Sequence, residues 1–179
     1  VLQRLFPALL IVLLSFTDAA AHGPSRQKVT ETIVINAPAA RVWDMVADFC
    51  SISAWHPAVS ACAGTGGNEA GATRVLTIAA PDDPQITETL IKYDAEGMTY
   101  KYKLSETIMA ILPVTTYSAF FTVKDNGDNT TTVEWRGGFY RGYPNNDPPP
   151  ELSDEAAVNA VTGTYKAGLA ALKELAEQP

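Results

Sequence analysis

Downstream of Trp55-His56-Pro57, apolar and polar side chains alternate with a period of two as far as Arg136. Arg74, Leu76 and Ile78 share one side of a segment whose other side holds Val75 and Thr77. Ile86, Glu88 and Leu90 oppose Thr87 and Thr89, and Tyr100, Tyr102 and Leu104 oppose Lys101 and Lys103. Tyr117, Ala119, Phe121 and Val123 oppose Ser118 and Thr122; Thr131, Val133 and Trp135 oppose Thr132, Glu134 and Arg136. Successive side chains of a strand point to opposite faces, so each segment predicts a strand with one wet and one apolar face. That is the pattern of an antiparallel sheet covered on one side. Turn residues separate the segments at 64–71, 81–84, 94–97 and 125–129, and Asp-Asn-Gly-Asp-Asn is the sharpest hairpin signal.

Helical periods flank this stretch. Val29 to Asn36 reads as a first strand, and Pro38 then opens a short helix to Phe49, with Val42, Met45, Val46 and Phe49 on one face. The residues from Pro144 to Pro150 form a stiff connector. Ser153 is a good N-cap, and Asp154 and Glu155 suit the positive end of a helix dipole. The final helix runs to about Glu177 on a stripe of Val158, Val161, Tyr165, Leu169, Leu172 and Leu175. Gly163 and Gly168 sit inside it, each costing about 1 kcal/mol relative to Ala, so each either lets a neighbour approach or leaves room for a cavity. These elements predict one α+β domain over 29–177. Its curved antiparallel sheet of six to seven strands wraps on the long C-terminal helix, with a short helix pair after the first strand.

Residues 1–21 stand apart. Arg4 precedes an apolar run from Leu5 to Phe16, and Ala19-Ala20-Ala21 supplies a small-residue cleavage site. The run is shorter than the roughly 20 residues of a membrane span, so it reads as a signal peptide cut after Ala21, the alternative being an uncleaved anchor. Residues 22–28 follow as a flexible arm. Export changes the reading of Cys50 and Cys62: in an oxidising compartment they are either a disulfide around the Trp55-His56-Pro57 corner or two unlinked core thiols.

The net charge of −7 argues against nucleic acid and anionic membrane as partners, which need clustered Lys and Arg. An acidic surface could instead meet a basic patch on another protein. His22 and His56 are the two histidines, too few for a zinc site, and no phosphate loop, nucleophile elbow or haem motif is present; no metal or cofactor is expected. Arg74 and Glu88 point to the apolar face, either as a buried ion pair or as groups that orient a ligand. Tyr100, Tyr102, Tyr117, Phe121, Trp135 and Phe139 line that face, with Trp55 and Tyr165 opposite, as core or as a cavity wall. His56 is either a structural histidine bonded to backbone or a general base with Glu88 as its partner.

Ala37-Pro38, Val42-Trp43, Asp48-Phe49, Trp55-His56-Pro57, Gly71 and Arg74 followed by Glu88, and Val133-Glu134-Trp135 resemble the START-like superfamily, which includes the polyketide cyclase/dehydrase-like proteins. The resemblance covers Val29 to Lys173 and implies a helix-grip fold with a cavity between helix and sheet. Ala21-His22-Gly23-Pro24, residues 66–74, Leu112-Pro113-Val114, Phe139-Tyr140-Arg141 and residues 154–158 are further similar to the MxaD-type periplasmic proteins of methylotrophs. That narrower similarity implies a non-catalytic accessory role beside a methanol dehydrogenase and its cytochrome c. Cys50 and Cys62 are not part of its pattern. The alternatives are a carrier or sensor for a small apolar molecule, and a cyclase- or hydrolase-like enzyme using His56.

Overall fold

The computed structural model describes residues 23–106 and 108–179. Seven strands form one antiparallel sheet: β1 (Gln27–Ile35), β2 (Val59–Thr65), β3 (Thr73–Ile78), β4 (Gln85–Asp94), β5 (Thr99–Glu106), β6 (Val114–Asp125) and β7 (Thr131–Arg141). Their order is β1-β7-β6-β5-β4-β3-β2, so β2 to β7 make a continuous meander and β1 adds to the far edge. The apolar residues of each alternation lie inward, among them Leu76, Leu90, Tyr102, Phe121, Val133 and Trp135. The edge strand β2 has no counterpart among the segments read from periodicity. Only its Val59 is buried, so it carries no apolar stripe.

The sheet begins earlier than expected. Gln27 and Lys28 pair with Phe139 and Gly138, so they belong to β1 and not to a flexible arm. The expected signal peptide and His22 lie outside the described residues. Among the described residues no helix is long and apolar enough to cross a membrane.

The first helix, α1 (Ala39–Val46), stops short of Phe49. Two side chains take over the backbone donors that would continue it: Cys50 N–H donates to Asp48 Oδ1 at 2.7 Å and Phe49 N–H to Asn68 Oδ1 at 2.8 Å. The second member of the expected helix pair is a single 3₁₀ turn, Ser51–Ala54. A disulfide joins Cys50 to Cys62 of β2, with the two Cα atoms 5.7 Å apart. It ties the segment after α1 to the sheet edge. Gly64 makes the room, since a Cβ there would stand 3.1 Å from Cys50 Sγ.

The long helix α2 (Asp154–Ala176) lies across β1 and β7 on the inner face. Ser153 caps it, its Oγ accepting from Ala156 N–H at 3.1 Å. Its buried seam is Ala157, Val161, Tyr165, Gly168, Leu169, Leu172 and Ala176. Val158 and Leu175, expected in the stripe, are only partly buried, and small residues take their place at the contact. Both ends are fastened. Arg141 donates to the Tyr143 and Asn145 carbonyls and to Asp154 Oδ2 at 3.0 Å, which fixes the Pro-rich connector against the helix start. At the other end Lys173 Nζ donates to Val34 O at 2.7 Å, and Asn36 N–H donates to Glu177 Oε1 at 2.6 Å.

Candidate functional site

Register places the two inward charges face to face. Arg74 on β3 is the cross-strand partner of Glu88 on β4. Arg74 Nε donates to Glu88 Oε2 at 2.6 Å, and Arg74 Nη1 donates to the Phe49 carbonyl. Both side chains are buried, and the guanidinium lies 4.1 Å from the Phe49 ring centre and 5.1 Å from that of Tyr102. Burial is the largest influence on the Arg74 guanidinium and opposes its charge, but the Glu88 carboxylate, its hydrogen bond and the neighbouring Tyr100 and Tyr102 together outweigh it and hold the guanidinium protonated. The Glu88 carboxyl is pushed above the usual glutamate range by burial, against the pull of Arg74. Pairs of this kind contribute little net stability, yet each partner is costly to lose alone.

A chain of aromatic polar groups runs from the sheet to α2. Trp135 Nε1 donates to Tyr102 Oη at 2.9 Å, Tyr102 Oη lies 3.2 Å from Tyr117 Oη, and Tyr117 Oη lies 2.6 Å from Tyr165 Oη. Gly137 permits the last step, because a Cβ there would fall 2.2 Å from the Tyr165 hydroxyl. The Tyr165 ring stacks on Trp135 with centres 4.4 Å apart. Burial drives the Tyr102, Tyr117 and Tyr165 phenols well above their ordinary pKa, so all three are neutral donors. The indole can only donate. Four donor hydrogens therefore meet three links, and one hydroxyl proton is left over for another acceptor.

His56 is the third element. The turn after Ser51–Ala54 buries it with Trp55, edge-on to Trp135 at 5.9 Å between ring centres. Its Nδ1 accepts from Ala58 N–H at 3.1 Å, which leaves the hydrogen on Nε2 to donate to Thr164 O at 3.0 Å. Burial is the main reason its pKa is lowered, so the ring is neutral with both nitrogens engaged. Gly168 makes space for it on α2.

These groups border a cavity of about 90 Å³ between the sheet and α2. His56, Glu88, Tyr102, Tyr117, Trp135 and Thr164 give its polar side; aliphatic residues including Ile52, Leu76, Ile86 and Leu104 give the rest. A single water needs only about 10–15 Å³ of such space, so the cavity accommodates several waters or a small organic molecule. The other candidate residues stand behind the wall. Arg74 holds Glu88, Tyr100 stacks on Phe121 at 5.5 Å, Trp55 packs on Phe121 at 5.6 Å, and Phe139 stacks on Tyr117 at 6.2 Å. Tyr165 reaches the site only through Tyr117 and Trp135. Ile111 and Leu112, in the connection from β5 to β6, also border the cavity and were not among the candidates. An apolar pair before Pro113, in a connection that should be polar, is the sequence signal that could have found them. Among the described residues no three His, Cys, Asp or Glu side chains converge as metal ligands would.

The profile of the family described as "Polyketide cyclase / dehydrase and lipid transport" matches residues 26–177. The chain belongs to this family. Among solved structures it is similar to an uncharacterized protein from Bacillus thuringiensis, with 30% identity and a TM-score of 0.71 over 85% of this chain and 100% of that one. It is similar to the protein XoxI from Bacillus cereus, with 30% identity and a TM-score of 0.69 over 83% of this chain and 94% of that one. Norcoclaurine synthase from Thalictrum flavum, at 16% identity and a TM-score of 0.64 over 97% and 99% of the two chains, shares the fold. No curated protein matches the sequence.

Proposed function

We propose that the protein is a binding protein that takes a small, mostly apolar molecule with one hydrogen-bond acceptor into the cavity beneath α2. The supporting observation is the hydroxyl proton left over along the Trp135–Tyr102–Tyr117–Tyr165 chain, three of whose members, Trp135, Tyr102 and Tyr117, border a mostly apolar space. The geometry argues against acid–base catalysis by His56, whose two nitrogens are both occupied by backbone groups. Native mass spectrometry of protein purified without denaturation, followed by thermal-shift titration with short-chain alcohols, ketones and phenols, tests the reading. A bound species or a saturable shift lost in Tyr102→Phe/Tyr117→Phe supports it. An empty cavity with no shift from any of these probes removes it.

A second reading places this binding protein in a periplasm, as an accessory of methanol oxidation that contacts methanol dehydrogenase or its cytochrome c. It is favoured by the sequence resemblance to MxaD-type proteins and by 30% identity to XoxI across 94% of that chain. Methanol-dependent reduction of the cytochrome, measured with and without the protein at low and high salt, tests it. An unchanged rate together with no co-purification at low salt excludes it.

A further inference from the structure

Charge is not evenly spread over this acidic chain. On the outer face of the sheet one row of cross-strand neighbours runs Lys28–Gly138–Ser118–Lys103. The adjoining row runs Thr30–Arg136–Phe120–Lys101 and on to Lys92. Arg26 joins them by lying over the bare backbone of Gly138, where a Cβ would stand 2.7 Å from its Nη2. Arg26, Lys28, Lys92, Lys101, Lys103 and Arg136 are thus six of the chain's 13 lysines and arginines on one face, in a chain of net charge −7. Glu134 in the next row approaches Arg136 at 3.8 Å, but both side chains are about half exposed and the pair is weak.

The same face has a shape. Between Arg26, Lys28, Lys101 and Arg136 runs a trough of about 320 Å³ floored by Ser118 and Gly138. Lys101 Nζ and the Arg136 guanidinium each lie 5.1 Å from the centre of the Phe120 ring. Two cations gathered on one ring repel each other, and an anionic group set between them relieves that repulsion.

We propose that this trough docks a carboxylate-rich segment of a partner protein. Neighbouring strands are about 4.8 Å apart, so Arg136 and Lys101 are separated by about 10 Å and Lys28 and Lys103 by about 14 Å at the backbone. An extended chain advances about 3.4 Å per residue, so acids three and four residues apart reach across these pairs. A long polyanion or an anionic bilayer would meet the remaining acidic surface as well as the trough, whereas a local acidic segment meets the trough alone. The cations are exposed, apart from the half-buried Lys101, with no fully buried side-chain donor that would retain a lone phosphate. The orientation is the reverse of an acidic protein docking on a basic patch. The inference does not rest on the cavity reading, and the variants below leave the cavity untouched.

The test is chemical-shift mapping of the ¹⁵N-labelled protein with a deca-glutamate peptide at low ionic strength. Shifts are expected within 26–30, 101–103, 118–120 and 136–138, and are expected to vanish at about 0.5 M salt. Lys28→Gln/Lys101→Gln/Lys103→Gln, with its thermal midpoint unchanged, is expected to weaken the peptide at least tenfold. Shifts elsewhere, or equal affinity for the triple variant, overturn the proposal. So does equally tight binding of phosphatidylglycerol vesicles or oligo-dT at this face, or self-association of the protein that the triple variant loses.

Discussion

Gly168 of α2 lies so close to His56 that a methyl group on it would fall 2.4 Å from His56 Cδ2 and 2.9 Å from Trp135 Cζ3. The helix interior gives up propensity here so that an imidazole can reach a helix carbonyl. Gly163, five residues earlier on the same helix, is exposed and would meet nothing within 4 Å.

The two glycines therefore predict opposite outcomes for the same change. Gly163→Ala is expected to stabilise by about 0.5–1 kcal/mol through helix propensity. Gly168→Ala is expected to destabilise by about 1–3 kcal/mol, because the overpacking exceeds that gain. Urea unfolding midpoints of the two variants decide it, and a Gly168→Ala protein as stable as the parent would contradict the packing described.

The Arg74–Glu88 pair predicts non-additivity. Arg74→Met leaves a buried carboxylate without its partner and is expected to cost about 3–5 kcal/mol. Arg74→Met/Glu88→Leu removes both charges and is expected to recover most of that loss. A double variant no more stable than the single one sinks the argument.

His56 predicts a pH dependence with a definite sign. A histidine whose pKa is lowered by the fold contributes stability that is present above its unfolded pKa, about 6.5, and is lost as pH falls through the folded value. Stability is therefore expected to decline on acidification below about pH 6.5. The same acid limb should be shallower in His56→Gln, which cannot acquire the charge. Parallel limbs for the two proteins would show that His56 titrates alike in both states.

The disulfide predicts a redox effect of loop-closure size. Cys50→Ser/Cys62→Ser is expected to lower stability by about 2–3 kcal/mol. It should also raise amide exchange around the Ser51–Ala54 turn, the wall of the cavity nearest the bridge. Uniformly unchanged exchange there would show that the turn does not depend on the bridge.

The sheet was legible because its inward residues are large and alternate strictly; nothing competes with the register that Tyr100, Tyr102, Phe121 and Trp135 impose. What escaped was carried by small or polar residues. The edge strand β2 buries only Val59, so it lacks a stripe, and the helix seam at Ala157, Gly168 and Ala176 is made of residues whose burial follows from fit and not from hydrophobicity. The end of α1 depends on Asn68, distant in sequence, accepting a hydrogen bond from Phe49. For the site, alternation placed Arg74 and Glu88 inward and offered them as an ion pair, which the register of β3 and β4 realises. Which aromatics border space and which fill it depends on centre-to-centre packing that no periodicity encodes.

The pairing of β1 with β7 has a consequence in time. Gln27 to Ile35 form the first strand to be made, yet their sheet partners, Thr131 to Phe139, belong to the last of the seven. Until then β1 has no sheet neighbour, and α2, which covers it, is made later still. Pairings so distant in sequence form slowly, after costly loop closure. The emerging chain therefore cannot complete this sheet before β7 exists, and until then β1 is held by no strand.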